Sequence, residues 1–160
     1  MIKKIVSIYV CFMLIFLCGC SQESKFGVQQ FVERMNNQYS TDFATADFIL
    51  GTDETKENYL FCEKDEMLIS LSLDTNNTIR GVGLLLTESM DINEGLNTFL
   101  HICCVFTGES EENQRATLTN CQITAEKIKY ADSNFVITVG KFKYSVICND
   151  YSVTLFCDRT

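Results

Sequence analysis

FVITVGKFKYSVICNDYSVTLFC, residues 135–157, decides the fold. Apolar residues recur at every second position, the period of a half-buried strand. Two-residue turns at Gly140-Lys141 and Asn149-Asp150 divide the stretch into three strands. Phe135, Ile137 and Val139 then share a face with Phe142, Tyr144, Val146 and Cys148, and Tyr151, Val153, Leu155 and Cys157 continue it. Three strands that agree on one apolar face under short turns predict an antiparallel meander. The other face carries Thr138, Lys143, Ser145, Ser152 and Thr154, interrupted by Val136, Ile147 and Phe156. Apolar groups there call for either a covering helix, which is the expectation, or an exposed binding patch. In this register Cys148 pairs with Tyr151 and Cys157 with Phe142, too far apart along the strands for a disulfide.

The same alternation appears upstream. Met67, Ile69, Leu71 and Leu73 line one face of residues 66–73, with Ser70 and Ser72 on the other. A two-residue turn at Asn76-Asn77 places Leu71 opposite Val82, Ile69 opposite Leu84 and Met67 opposite Leu86, every pair apolar. Gly81 and Gly83 then fall opposite Ser72 and Ser70, small residues that suit close approach by another element or a bulge. Residues 43–50 and 57–63 read as two earlier strands.

Two segments follow the helical period instead. Over residues 24–39, Val28, Val32, Met35 and Tyr39 form a stripe with Phe31 beside it, and Ser24 is the expected cap. Over residues 91–106, Ile92, Leu96, Phe99, Cys103 and Phe106 do the same. Asp91 and Glu94 resemble a capping box, and Gly108 suits the end of this helix. Residues 110–121 read as a third helix, starting at Ser110 with Glu111 and Glu112 at the favourable end of its dipole. The sum is an α+β domain: an antiparallel sheet of about six to seven strands with two to three helices packed on one face. The halves could be a diverged helix-plus-meander duplication. The element order resembles that of the TATA-binding protein and β-lactamase inhibitor protein folds, a likeness of order that transfers no function.

The N-terminus has a different character. Lys3 and Lys4 precede an apolar run from Ile5 to Leu17, too short for the roughly 20 residues of a membrane span. A basic start, a short apolar run and a small residue before the cut make a secretory signal peptide. The run Leu17-Cys18-Gly19-Cys20 resembles the lipobox of bacterial lipoproteins. The resemblance implies diacylglyceryl transfer to the Cys20 thiol, with palmitate among the acyl chains, and cleavage between Gly19 and Cys20. Residues 1–19 would be signal peptide, 20–25 a lipid-anchored tether and 26–160 the folded domain. The partner so implied is the membrane, held through the lipid on Cys20. Ser21 is not the Asp of inner-membrane retention, so the implied address is the extracytoplasmic face of the cell membrane, or an outer membrane in a diderm host.

Without residues 1–19 the chain carries 11 Lys plus Arg against 21 Asp plus Glu, a formal charge of −10. Such a surface repels phosphate backbones, so nucleic acid is excluded as a partner. His101 is the only histidine, which excludes two-histidine zinc peptidase and iron motifs. Cys104 lies one turn further along the helix, on the side away from the stripe, where an imidazole could activate a thiol. The plainer reading is a solvated His101 and a partly buried Cys104, and it is the one adopted. Asp74-Thr75-Asn76-Asn77-Thr78 begins like a calcium loop, but Ile79 replaces its glycine and Leu85 its bidentate glutamate, so it reads as a turn. No zinc-ribbon spacing, phosphate cradle or nucleophile elbow occurs, and no metal, cofactor or catalytic residue is assigned. The function expected is a non-enzymatic binding module for a protein, a cell-wall component or a small ligand. The alternatives are an enzyme of unrecognised type using a thiol, and an inhibitor or immunity-type lipoprotein.

Overall fold

The computed structural model describes residues 26–52, 58–64, 67–129, 134–149 and 151–160. Gly19, Cys20, the 20–25 tether and Ser24 lie outside the described residues. Seven strands form the sheet: β1 (Ile49–Thr52), β2 (Asn58–Lys64), β3 (Met67–Leu73), β4 (Ile79–Thr87), β5 (Phe135–Val139), β6 (Phe142–Asn149) and β7 (Ser152–Arg159). They are ordered β1-β2-β3-β4-β7-β6-β5, every pair antiparallel. Helix α1 (Val28–Tyr39) precedes the first meander; α2 (Ile92–Thr107), α3 (Glu111–Asn120) and the short α4 (Ala125–Lys129) precede the second. The domain is therefore α+β, with a helix-then-meander order in each half. The halves join where β4 pairs with β7 and Leu84 faces Leu155.

The core lies between one sheet face and the helices. Ile69, Leu71, Val82, Leu84, Tyr144, Val146, Leu155 and Cys157 point into it from the sheet. Phe31, Val32 and Met35 meet them from α1, and Phe99, Leu100, Ile102, Cys103, Val105 and Phe106 from α2. Burying one side chain of this size contributes about 1.5–3 kcal/mol. Gly95 lets α2 lie close to the central strand, because a Cβ there would overlap the Leu86 side chain. Gln114, buried on α3, donates to the Tyr144 hydroxyl at 3.0 Å and accepts from Thr107 at 3.2 Å. Those bonds tie α3 to both the sheet and α2, and satisfy an amide that would otherwise oppose burial.

Several local expectations hold through identifiable contacts. Asp91 accepts from the backbone N–H groups of Asn93 and Glu94, at 2.8 and 3.0 Å. Gly108, φ +78°, closes α2 with a bond to the Cys104 carbonyl, and Ser110 caps α3. Asp74 uses its carboxylate on the N–H groups of Asn76 and Thr78, both at 2.8 Å, so its role is that of a turn residue. Leu71 pairs with Val82 and Ile69 with Leu84 as expected.

The route to that register differs. Leu73 pairs with Ile79 and the Asp74 N–H donates to the Thr78 carbonyl at 2.9 Å, so the loop has three residues, 75–77, and Asn77 takes φ +59°. The ladder then shifts between Ser72 and Leu73, with Arg80 the extra residue, and the two one-residue departures cancel.

Other expectations are corrected. Residues 43–50 are not one strand: a 3₁₀ turn, Thr45–Asp47, precedes β1. The Asn36 amide both donates to the Phe43 carbonyl (2.8 Å) and accepts from the Phe43 N–H (3.0 Å), replacing ladder bonds there. Helix α1 starts at Val28 after Gly27, whose N–H donates to the Gln30 side chain at 3.0 Å. The β6–β7 register is two residues from expectation: Cys148 pairs with Val153 and Cys157 with Tyr144. Asn149 is the last paired residue, and it acts through its side chain, which accepts from the N–H groups of Tyr151 and Ser152. Tyr151 consequently sits in the turn, 74% exposed, instead of on the buried face. A two-residue slip keeps every other side chain on its expected face. Cys148 and Cys157 remain four positions apart, about 13 Å along the strands, and both are free thiols.

Candidate binding site

The second face of the sheet is the candidate site. The helices pack on the inner face, and among the described residues no helix covers the outer one. The expected cover over Val136, Ile147 and Phe156 is therefore corrected: Val136 is 61% and Ile147 44% exposed. Strand register arranges this outer face in cross-strand rows. One row runs Tyr59, Ser72, Gly81, Asp158, Lys143 and Thr138. The next runs Phe61, Ser70, Gly83, Phe156, Ser145 and Val136. A third holds Glu63, Leu68, Leu85, Thr154 and Ile147.

The two glycines on β4 shape this surface. A Cβ on Gly83 would lie 2.7 Å from the Phe156 ring, and one on Gly81 2.6 Å from Ser72 Oγ and against the Asp158 carboxylate. Bare backbone thus lets side chains of β7 lean across the central strand. The approach anticipated at Gly81 and Gly83 is made by side chains of the adjacent strand.

Two shallow hollows result, each of about 350 Å³. The apolar groove lies between Phe61 and Phe156, floored by Leu68, Ser70 and Leu85. The Tyr59 and Phe61 rings stand 6.0 Å apart along its rim. The polar trough adjoins it and collects Ser72, Arg80, Lys143, Ser145 and Asp158. Tyr59, Ser70 and Phe156 belong to both. Ser72 is only 8% exposed, and its hydroxyl is the one buried side-chain oxygen or nitrogen among the described residues without a hydrogen-bond partner. Larger hollows of about 500 and 540 Å³ lie beside the β6–β7 turn and between α2 and α3. Neither holds an unpartnered buried polar group among the described residues.

The His101 and Cys104 side chains belong to a packed seam between α1 and α2. The Tyr39 ring stacks on His101, with centroids 3.9 Å apart and planes 12° apart. His101 is therefore half-buried against α1, not solvated on a free side of α2. The Tyr39 hydroxyl is the hydrogen-bond partner of the Cys104 thiol, and Cys104 is buried. Burial raises the Cys104 pKa and lowers that of His101, which favours neutral thiol and neutral imidazole. A thiolate nucleophile needs the opposite shifts.

Among the described residues no three His, Cys, Asp or Glu side chains converge as metal ligands. Among them, too, no helix is long and apolar enough to cross a membrane. No family model, curated protein or solved structure matches the chain. Sequence reasoning found Phe156, Ile147 and Val136 but missed Tyr59, Ser72 and Asp158 as a row. Their signal was available in the pairing of Ser72 with Gly81, which fixes the outer face of β3.

Proposed function

We propose that the chain is a lipid-anchored, extracytoplasmic binding module that presents the open face of its sheet. The observation that carries the address is Leu17-Cys18-Gly19-Cys20 behind a basic, apolar leader. Two acyl chains on Cys20 would give a stable anchor, since each buried methylene contributes about 0.8 kcal/mol. What supports binding over catalysis is the outer face, which no helix covers among the described residues, together with the packing of His101 and Cys104, whose burial favours neutral imidazole and neutral thiol. Radiolabelled palmitate should enter the wild-type protein in its native cells and not a Cys20→Ala variant. The processed wild-type product should begin at Cys20. A wild type without label, or a variant that keeps it, refutes the anchor.

A further inference from the structure

We propose that Cys103 and Cys157 are the pair this domain links as a disulfide, joining helix α2 to strand β7. The pair belongs to the core and owes nothing to the outer face or to the anchor.

Contacts near both ends of α2 place it on the sheet. Near its start, Gly95 lies against Leu86, which pairs with Val153 on β7. Near its end, the Phe106 and Phe142 rings meet with centroids 5.7 Å apart. Arg159, the strand partner of Phe142, lies over the same Phe106 ring at 5.6 Å. Helix α2 therefore runs alongside β7 in the same direction, from Val153 towards Arg159. Cys103 is three residues before Phe106, about 4.5 Å back along the helix. Cys157 is two residues before Arg159, about 6.6 Å back along the strand. The two steps lead to the same level of the core, where both side chains are fully buried. There the two thiols are hydrogen-bond partners.

The other described thiols are placed less well. Cys104 turns to Tyr39. Cys62 lies on β2, three strands from β7 and about 14 Å across the sheet. Cys148 is about 13 Å away along the strands. Cys121, at the end of α3, is close enough to Cys157 to interact with it electrostatically, and it is the competing partner. Among the described residues these thiols do not converge as metal ligands.

The chemistry is exchange with an external low-molecular-weight disulfide. One cysteine thiolate attacks it, releases a thiolate and leaves a mixed disulfide. The second cysteine thiolate displaces the other half and closes the S–S bond. The cysteine protons pass to the two released thiolates, so two protein thiols are oxidised while one external disulfide becomes two thiols. Burial pushes the Cys103 thiol up, so the closed domain reacts slowly and exchange proceeds when α2 lifts from the sheet. Closure would pin the helical layer to the sheet, and an exported address is where such a bond persists.

The test treats the reduced full chain with glutathione disulfide at the foot of its urea transition. Remaining thiols are then blocked with a maleimide in denaturant, and bonds are mapped by proteolysis and mass spectrometry. A Cys103–Cys157 bond is expected as the main intrachain product, with Cys148 unlinked. Cys104→Ala and Cys121→Ala should both keep the bond, which separates Cys103 from its neighbour and Cys157 from its competing partner. In high urea the same oxidant should lose this preference. The proposal is overturned if no intrachain bond forms, if Cys121–Cys157 or any other pair is the main product, or if the Cys103–Cys157 bond is equally favoured in high urea. Mapping the wild type needs no variant to fold.

Discussion

Replacing Ser72 by alanine should stabilise the protein. Its hydroxyl is buried without a partner among the described residues, in a residue only 8% exposed. An unsatisfied buried polar group costs about 1–3 kcal/mol of desolvation. Alanine removes that cost and loses the dispersion contacts of one oxygen, a few pairs at about 0.1–0.2 kcal/mol each. The net gain should be about 1 kcal/mol, or about 3 °C in Tm for a domain of this length. Urea unfolding followed by circular dichroism, with an unchanged m-value, measures it. Ser145→Ala is the control: Ser145 is equally buried at 8%, but its hydroxyl is not one of the fully enclosed, unpartnered atoms, so a smaller gain is expected. Destabilisation of Ser72→Ala by more than about 0.5 kcal/mol, beyond the scatter of surface substitutions, would mean that the hydroxyl is satisfied in solution and would refute the reasoning.

Gly95→Ala should cost about 1–2 kcal/mol, since overpacking against Leu86 exceeds the gain of about 1 kcal/mol in helix propensity. Combining it with Leu86→Val should show a favourable coupling above about 0.5 kcal/mol, and strict additivity would refute the contact. His101 has a lowered pKa because it is buried, so the unfolded chain binds its proton more readily. Its contribution is whole above pH 6.5 and declines as pH falls through that value towards the folded pKa. The stability of His101→Phe relative to wild type should therefore rise between pH 7 and 5, and a flat difference would sink the assignment. Among the cysteines from Cys62 onward, only Cys148 is not fully buried. A maleimide should modify Cys148 first and the other five only on unfolding; early labelling of Cys104 would contradict the packed seam.

What the sequence revealed depended on which interactions set each feature. Alternation in β3, β4, β6 and β7 is a local signal, and it identified the buried face even where the register was two residues off. The β6–β7 register departs from the expectation because Asn149 stays in the ladder and organises the turn through its side chain, not its backbone. The cancelling loop and bulge around Arg80 left no periodic trace, since the faces of Leu71 and Val82 are the same either way. The segment at 43–48 failed for a different reason: its backbone is held by Asn36, seven positions away on a helix. The orphan at Ser72 was invisible because satisfaction of a hydroxyl is a tertiary property. That no helix among the described residues covers the outer face was invisible too, since such cover depends on where connections run, and the described helices of both halves lie on the same side.

The entry point of the chain relates the trough to the anchor. Phe26 accepts a backbone hydrogen bond from Ile79 at 2.8 Å, which fixes the start of the described domain at the N-terminal end of β4. Gly81, two residues on, lies in the trough row, and Ser72, Asp158 and Lys143 pair across at the same end of the sheet. Residues 20–25 are six residues, with a maximum reach of about 20 Å from Cys20. An anchor at Cys20 would hold this end of the sheet nearest the bilayer, with the β6–β7 turn at the far end. The trough would then meet ligands within a short distance of the lipid surface, and the apolar groove, displaced towards Leu68 and Leu85, would point away from it.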